Sequence, residues 1–168
     1  MMRTIAGLGL TELFPAEMSI EDKASLLDET PWSHGFTWEQ ILQLAKCMQT
    51  YRVVDRGVVF QEHEQHGYLC VVLEGRVAVM KEDVDEGQQH LVTFDPGSVF
   101  GEVSLIDGQP RSASVVAVED SLVIVLTRAA FDGICGDHPV LGVQLLLKVA
   151  RFLSGRLRQT SGALVEKL

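Results

Sequence analysis

Residues 68–80 read YLCVVLEGRVAVM, two short apolar runs that are separated by Glu74 and Gly75. Short apolar or alternating runs with turn residues between them are typical of neighbouring antiparallel strands. Six more runs of this kind lie between residues 51 and 126, namely YRVV, VVF, HLVTF, SVF, SASVVAV and SLVIVL. No long helical segment separates the runs, which disfavours a parallel α/β fold. The pattern predicts a mainly β protein, an antiparallel jelly roll (β-roll) of about eight strands with flanking helices.

Helical patterns precede the strands. Residues 16–32, AEMSIEDKASLLDETPW, predict a short helix with Ser19 as its N-cap. Residues 37–51, TWEQILQLAKCMQTY, predict a second helix, because Thr37 can cap it and Gln40 stands at the capping-box position. One face of this second helix is apolar, as expected for a helix that packs on a core. That face consists of Ile41, Leu44, Ala45 and Met48.

Two helical patterns follow the last strand. Residues 127–135, TRAAFDGIC, predict a short helix capped by Thr127, and a long helix follows with Pro139 in its first turn. Apolar positions of the long helix recur at steps of three and four, which predicts a coiled-coil-like seam. The seam comprises Leu146, Ala150, Leu153, Leu157, Thr160 and Leu164. Gly155 and Gly162 weaken this helix by about 1 kcal/mol each relative to alanine.

The composition is that of a globular protein. Of the 168 residues, 46% are hydrophobic and 22% are charged, and the net charge is −9. This acidity argues against direct binding of nucleic acid, because counterion release on DNA requires basic residues. Cys47, Cys70 and Cys135 lie far apart without a Cys-x-x-Cys pair, which indicates free thiols and no zinc site. The sequence contains neither a signal peptide nor a run of transmembrane length, so we expect a cytoplasmic protein without a membrane partner.

An acidic and a basic residue, Glu102 and Arg111, stand out in residues 100–115, FGEVSLIDGQPRSASV. Burial of either Glu102 or Arg111 without a partner costs several kcal/mol. A guanidinium binds two phosphate oxygens at once, a carboxylate accepts from a sugar hydroxyl, and the first N–H groups of a short EVSLI helix favour an anion. The set, with the Ser112 hydroxyl, fits a ribose phosphate. A salt bridge between Glu102 and Arg111 across the loop explains the same residues, and their spacing leaves both interpretations open.

At these residues the sequence resembles the phosphate-binding cassette of cyclic nucleotide-binding domains. The usual form is Phe-Gly-Glu-(Leu/Met/Val)-Ala-Leu-(Leu/Ile), a short spacer and Pro-Arg-x-Ala-(Thr/Ser)-Val, and Ser104 stands where alanine is usual. The resemblance extends over about residues 36–160. It implies that Arg111 pairs with the cyclic phosphate and that Glu102 binds the region of the ribose 2′-hydroxyl. The other ligand-binding residues that it implies are Gly101, Val103, Ser104, Ser112 and Ala113 in the cassette, and Val79 and Val92 beside the purine.

The resemblance also implies an organisation and a function. We expect an N-terminal, partly helical extension over residues 1–35, a nucleotide-binding β-roll with its leading helix and hinge over 36–136, and a lid and dimerisation helix over 137–168. The protein would be a regulatory module and not an enzyme, binding cAMP or cGMP without a metal or other cofactor, with cAMP favoured by the bacterial relatives. Binding would reposition the C-terminal helix and bring Arg156 over the purine. Because the chain ends at Leu168, we expect no helix-turn-helix, and the output would pass through a homodimer or an unidentified downstream protein.

Two other functions remain open at this stage. The first is a scaffold or dimerisation domain that keeps the fold but binds no nucleotide. The second is a cupin-like metal-dependent protein, for which the candidate ligands are Glu62, His63, Glu64, His66 and His90.

The segment EHEQHGYLC, residues 62–70, departs from the family pattern. His63 and His66 stand where glycines are usual. Because residues other than glycine tolerate positive φ poorly, we expect this turn to have a different shape. We also expect it to lie away from the phosphate.

Overall fold

The computed structural model describes residues 12–83 and 87–165, with side chains up to residue 162. The strands in this part are β1 Phe14–Pro15, β2 Gln49–Val53, β3 Val58–Phe60, β4 Tyr68–Glu74, β5 Val77–Asp83, β6 Gly87–Phe94, β7 Val99–Phe100, β8 Ser114–Ala117 and β9 Ser121–Thr127. The helices are α1 Ile20–Asp28, α2 Trp38–Cys47, α3 Glu102–Asp107, α4 Arg128–Asp137 and α5 Pro139–Val165, and a single 3-10 turn spans Pro31–Ser33.

The strands form two antiparallel sheets. One has the order β1-β2-β9-β4-β7 and the other the order β3-β8-β5-β6. Eight strands, β2 to β9, lie between residues 49 and 127, and β1 joins them from the N-terminal segment by pairing with β2. The prediction of a mainly antiparallel β-roll of eight strands with flanking helices, followed by a long C-terminal helix, is confirmed.

The core of the roll is built from alternate residues of these strands. Tyr51, Phe60, Tyr68 and Phe100 are among its largest members. Leu13, from the segment before β1, belongs to the same cluster. The main chain of the neighbouring Glu12 bonds to Val58, so the N-terminal segment contributes both a side chain and hydrogen bonds to the roll.

The helix ends follow the capping patterns of the sequence. The Ser19 hydroxyl accepts from the main-chain N–H of Asp22 at the start of α1. Thr37 and Gln40 form a reciprocal capping box at α2. The Thr127 hydroxyl accepts from the Ala130 N–H in the first turn of α4. All three predicted caps are confirmed.

The described residues divide into two compact units, the first ending at Ala130 and the second beginning at Phe131. Within α5 the most deeply buried side chains are Leu141, Leu145 and Val149. The predicted seam lies on other positions of the helix. Leu146, Ala150, Leu157 and Thr160 are exposed, Leu153 is half-buried, and the side chain of Leu164 is outside the described residues. No helix in the described part of the chain is long and apolar enough to cross a bilayer.

Two glycines of α5 have different surroundings. A Cβ atom at Gly142 would lie 2.9 Å from both the Cα and the Sγ atom of Cys135 in α4, whereas one at Gly155 would have no neighbour within 4 Å among the described residues. We therefore expect Gly155→Ala to stabilise the protein by up to about 1 kcal/mol through helix propensity. Gly142→Ala should destabilise it by about 1–3 kcal/mol, because the new methyl group overlaps main-chain atoms. Urea unfolding of both variants tests this difference, and equal stabilisation by the two would contradict it.

Candidate functional site

The turn from β7 into α3 depends on Gly101. Its φ is +77°, a left-handed conformation that side chains disfavour. A Cβ atom there would lie 2.6 Å from the Tyr68 carbonyl oxygen and 2.8 Å from Nη1 of Arg111. Both the backbone angle and the available space therefore require glycine, which lets α3 begin directly beside Arg111.

Arg111 is only 2% exposed, although it precedes β8 in an irregular segment. Its Nη1 atom donates to the Tyr68 carbonyl at 3.0 Å and to the Gly101 carbonyl at 2.9 Å. Its guanidinium carbon lies 3.8 Å from the centroid of the Phe60 ring and 4.2 Å from that of Tyr68. The hydrogen bonds thus end on main-chain carbonyls rather than on the carboxylate of Glu102, the partner that the salt-bridge interpretation requires.

The other two nitrogen atoms of the guanidinium donate no hydrogen bond to the described residues. Nε and Nη2 of Arg111 are buried and have no hydrogen-bond partner among the described residues. Burial lowers the pKa of Arg111, but an arginine stays protonated at neutral pH. A buried cation with two unused, adjacent donors is suited to an anion that offers two oxygen atoms.

The structure brings only part of the predicted cassette set to Arg111. Glu102 and Ser104 are buried in α3, and Glu102 directly follows Gly101, whose carbonyl Arg111 binds. By contrast, Val103 is exposed on the outer side of α3. In the segment after Arg111, Ser112 is exposed and Ala113 is half-buried.

A row of paired residues crosses the four-stranded sheet. Phe60 pairs with Val115, Val115 with Val79, and Val79 with Val92. Directly opposed residues of antiparallel strands share a face of the sheet. Val79 and Val92 therefore lie on the same face as Phe60, the ring that Arg111 contacts. Exposure rises along the row from the buried Phe60 to Val92, which is 41% exposed.

Arg156 lies in α5, in the second unit. It is half-buried, whereas Arg158 is exposed. Its predicted position over the base stays a prediction.

The segment before β4 bonds to the main chain of Arg111, although we expected it to lie away from the phosphate. The His63 N–H donates to the Arg111 carbonyl at 2.9 Å, and the Arg111 N–H donates to the Glu64 carbonyl at 2.8 Å. A Cβ atom at Gly67 would lie 2.5 Å from the Ser104 carbonyl oxygen, so this segment also packs on α3.

The turn contains a β-bulge. Two residues, His63 and Glu64, face one, Arg111, and the first of the two has φ of 70°. This is the pattern of a G1 bulge, whose first position is usually glycine. His63 thus takes the left-handed conformation that we expected a histidine to avoid. Histidine is among the residues that are enriched at positive φ, which helps to explain why the bulge is kept.

Glu62 connects this turn to β5 and to the segment before β8. Lys81 of β5 donates to Oε1 of Glu62 and, at 2.8 Å, to the Ser112 carbonyl. Oε2 of Glu62 accepts from the Glu82 N–H, and the Glu62 N–H donates to the Ser114 hydroxyl. The hydrogen bond from Lys81 and then that from Glu82 lower the pKa of Glu62. The set holds the turn, β5 and residues 112–114 together.

The proposed cupin-like ligands do not assemble. Glu62 is bound by Lys81, and the His90 ring bonds to the Thr93 hydroxyl at 2.8 Å. Within the described residues, no group of three or more His, Cys, Asp or Glu side chains could hold a metal ion. The cupin alternative therefore has no support from this region.

Substitution of Gly101 should be more costly than substitution of Gly108 at the other end of α3. Both have positive φ, but a Cβ atom at Gly108 would have no neighbour within 4 Å among the described residues. Gly108→Ala should thus lower the free energy of unfolding by about 1–2 kcal/mol. For Gly101→Ala, the overlap with Tyr68 and Arg111 should raise the loss to about 3 kcal/mol or more. Denaturant unfolding measures both, and equal losses would show that Gly101 is needed for its φ alone.

The lowered pKa of Glu62 predicts a pH-dependent contribution to stability. Its ionised carboxylate stabilises the folded state at pH above the ordinary carboxyl pKa, and this contribution disappears as the pH falls through the lowered folded value. Glu62→Gln should therefore be less stable than wild type near neutral pH and approach it in acid. Unfolding followed across this range tests the prediction, with the exposed Glu82→Gln as control. A constant difference at all pH values would contradict it.

Comparisons with known proteins agree with this geometry. The family model of the cyclic nucleotide-binding domain matches residues 52–138, more than half of the 168-residue chain. A solved cyclic nucleotide-binding domain from Methylobacillus flagellatus is 29% identical, with a TM-score of 0.77 over 89% of this chain and 84% of its own. The catabolite activator protein of Thermus thermophilus, also 29% identical, has a TM-score of 0.70 over 80% of this chain and 62% of its own.

Two curated relatives are regulators. The CRP-like cAMP-activated global transcriptional regulator of Mycobacterium tuberculosis is 29% identical over 126 residues, which are 75% of this chain and 54% of that protein. The cyclic AMP receptor protein of Thermus thermophilus is 30% identical over 125 residues, 74% of this chain and 57% of that protein. The chain thus spans just over half the length of these relatives. With the matched family model and the shared fold, these similarities establish that the chain belongs to the cyclic nucleotide-binding domain family.

Proposed function

We propose that this chain is a regulatory module that binds a cyclic nucleotide, with cAMP favoured, and that Arg111 binds the cyclic phosphate. The observation that carries the proposal is the buried guanidinium with two unused donors, Nε and Nη2. A phosphodiester supplies one negative charge and two free oxygen atoms, which match the charge and the fork of the guanidinium. Two curated relatives are named for their response to or reception of cAMP, which supports the choice of nucleotide.

In this proposal, the ribose and the purine bind on either side of Arg111. Glu102, at the start of α3, accepts from the ribose 2′-hydroxyl, and Gly101 lets the chain approach it. Neighbouring strands lie about 4.8 Å apart, so Val79, two strands from Phe60, is about 10 Å along the sheet from the ring that Arg111 contacts. That separation suits a purine beside Val79 and Val92 when the phosphate is at Arg111. Ser104, Ser112, Ala113 and Val103 complete the cassette.

The mechanism that we propose is binding and not catalysis. Ligand contacts that exist in one of two conformations shift the equilibrium between them, and α5 transmits the change. Exposed apolar residues of α5, among them Leu146 and Leu157, support a homodimer formed through this helix. Arg156 is our candidate for a residue that stacks on the base, because a guanidinium stacks well on an aromatic ring. We further propose a cytoplasmic location and a downstream protein partner.

Calorimetric titration with cAMP and cGMP tests the central claim, and Arg111→Lys is the informative variant. Lysine keeps the charge but offers no planar pair of donors, so cAMP binding should weaken about tenfold or more, equivalent to 1.4 kcal/mol. Arg76→Lys is the matched control, because Arg76 is an exposed arginine in an ion pair with Glu119. It should leave the affinity unchanged.

Two results would contradict the proposal. Absence of binding by the wild-type protein to either nucleotide would favour the scaffold function. An affinity of Arg111→Lys within about threefold of wild type would show that the guanidinium is not the phosphate ligand.

A further inference from the structure

The bulge at His63 and Glu64 brings a second carboxyl group to Arg111. The main chains of Glu64 and Arg111 are joined by the 2.8 Å hydrogen bond, and a bulge beside a site can re-aim a side chain. Oε2 of Glu64 is buried and has no hydrogen-bond partner among the described residues. A carboxylate oxygen is thus enclosed in the turn that adjoins the buried guanidinium.

The electrostatic environment of Glu64 agrees with this placement. Burial raises the pKa of Glu64, while a hydrogen bond from the Gln61 N–H and the positive charge of Arg111 act in the opposite direction. The carboxyl group therefore interacts with the charge of Arg111 without a hydrogen bond between the side chains.

The guanidinium has one positive charge, and a carboxylate already interacts with it. That carboxylate is Glu64, in the turn whose main chain bonds to Arg111. Tyr68 and Cys70 add no charge at neutral pH, because burial raises both pKa values, that of Cys70 to about 12. An anion that enters this site is attracted by Arg111 and repelled by the carboxylate of Glu64, and the repulsion grows with the charge on the anion.

Resting on the proposed function, we propose that Glu64 determines specificity for the charge of the ligand. It disfavours a phosphate with two negative charges and so selects a phosphodiester over a phosphomonoester. One charge on the ligand is matched by Arg111, whereas a second charge faces the carboxylate of Glu64. The ligands cAMP and 5′-AMP have the same base and sugar and differ in the charge of their phosphate group.

Competition against fluorescently labelled cAMP tests the proposal, with unlabelled cAMP and 5′-AMP as competitors. At pH about 8 the monoester carries close to two charges and a carboxyl group is ionised. Glu64→Gln removes the charge and keeps the shape. The ratio of the 5′-AMP dissociation constant to that of cAMP should fall about tenfold in this variant.

Glu74→Gln is the matched control. It makes the same chemical change at an exposed position, at the far end of β4 from Tyr68. The ratio should stay at the wild-type value. If Glu64→Gln does not fold, Glu64→Ala is the second variant, because it retains the main-chain hydrogen bonds of the bulge.

The outcomes separate this proposal from the one on which it rests. Wild type that binds cAMP, together with a ratio unchanged within about twofold in the Glu64 variant, would overturn the role of Glu64 and leave the proposed function intact. Failure of 5′-AMP to displace the probe from either protein at the highest concentration would overturn it as well. Failure of labelled cAMP to bind the wild type would instead overturn the proposed function, and the charge selection with it.

Discussion

The burial of the Arg111 guanidinium is the constraint that shapes the surrounding structure. Removing a cation from water costs several kcal/mol unless the protein replaces the lost hydration. Here two carbonyl groups and the faces of the Phe60 and Tyr68 rings do so in part. The carbonyl of Gly101 reaches Arg111 because a glycine turns the chain there, and the ring of Phe60 lies at the end of a strand that pairs with β8.

The same constraint explains why other positions have little freedom. Cys70, the direct partner of Phe100 in the pairing of β4 with β7, is fully buried, and its thiol stays neutral because burial raises its pKa to about 12. Gly67 allows α3 to pack on the start of β4, where a methyl group would overlap the Ser104 carbonyl. The glycines and the small polar residues of this region therefore allow the close packing that encloses a cation beside a short helix.

Much of this arrangement could be predicted from the sequence, because it rests on local patterns. The strands, the capping box at Thr37 and the cap at Thr127 each depend on residues a few positions apart, and all were found in the structure. Arg111 and Glu102 stood out for a similar reason, since isolated charges in an apolar, glycine-containing segment need a physical explanation.

The parts that could not be predicted depend on pairing between distant segments. Nothing near His63 in the sequence shows that its N–H bonds to Arg111, because the register of this turn against the cassette is set by the whole sheet. The ring contacts of Arg111 with Phe60 and Tyr68 have the same origin. The sequence showed only that histidines stand where glycines are usual in this turn, and the positive φ of His63 appears in the structure alone. In α5 several apolar positions of the helix compete, and the buried ones, Leu141, Leu145 and Val149, are not those of the predicted seam.

A chain of direct contacts leads from Arg111 to the start of α4 within the first unit. Arg111 holds the Gly101 carbonyl, Gly101 begins α3, and the Leu105 carbonyl in the last turn of α3 accepts from Nη1 of Arg128 at 3.0 Å. Arg128 is the first residue of α4. Under the proposed function, a phosphate that draws on the unused donors of Arg111 acts on a side chain already bonded to α3. Because α3 is only six residues long and arginines bind the main chain near both of its ends, a displacement at Gly101 would act on the carbonyl group that Arg128 binds.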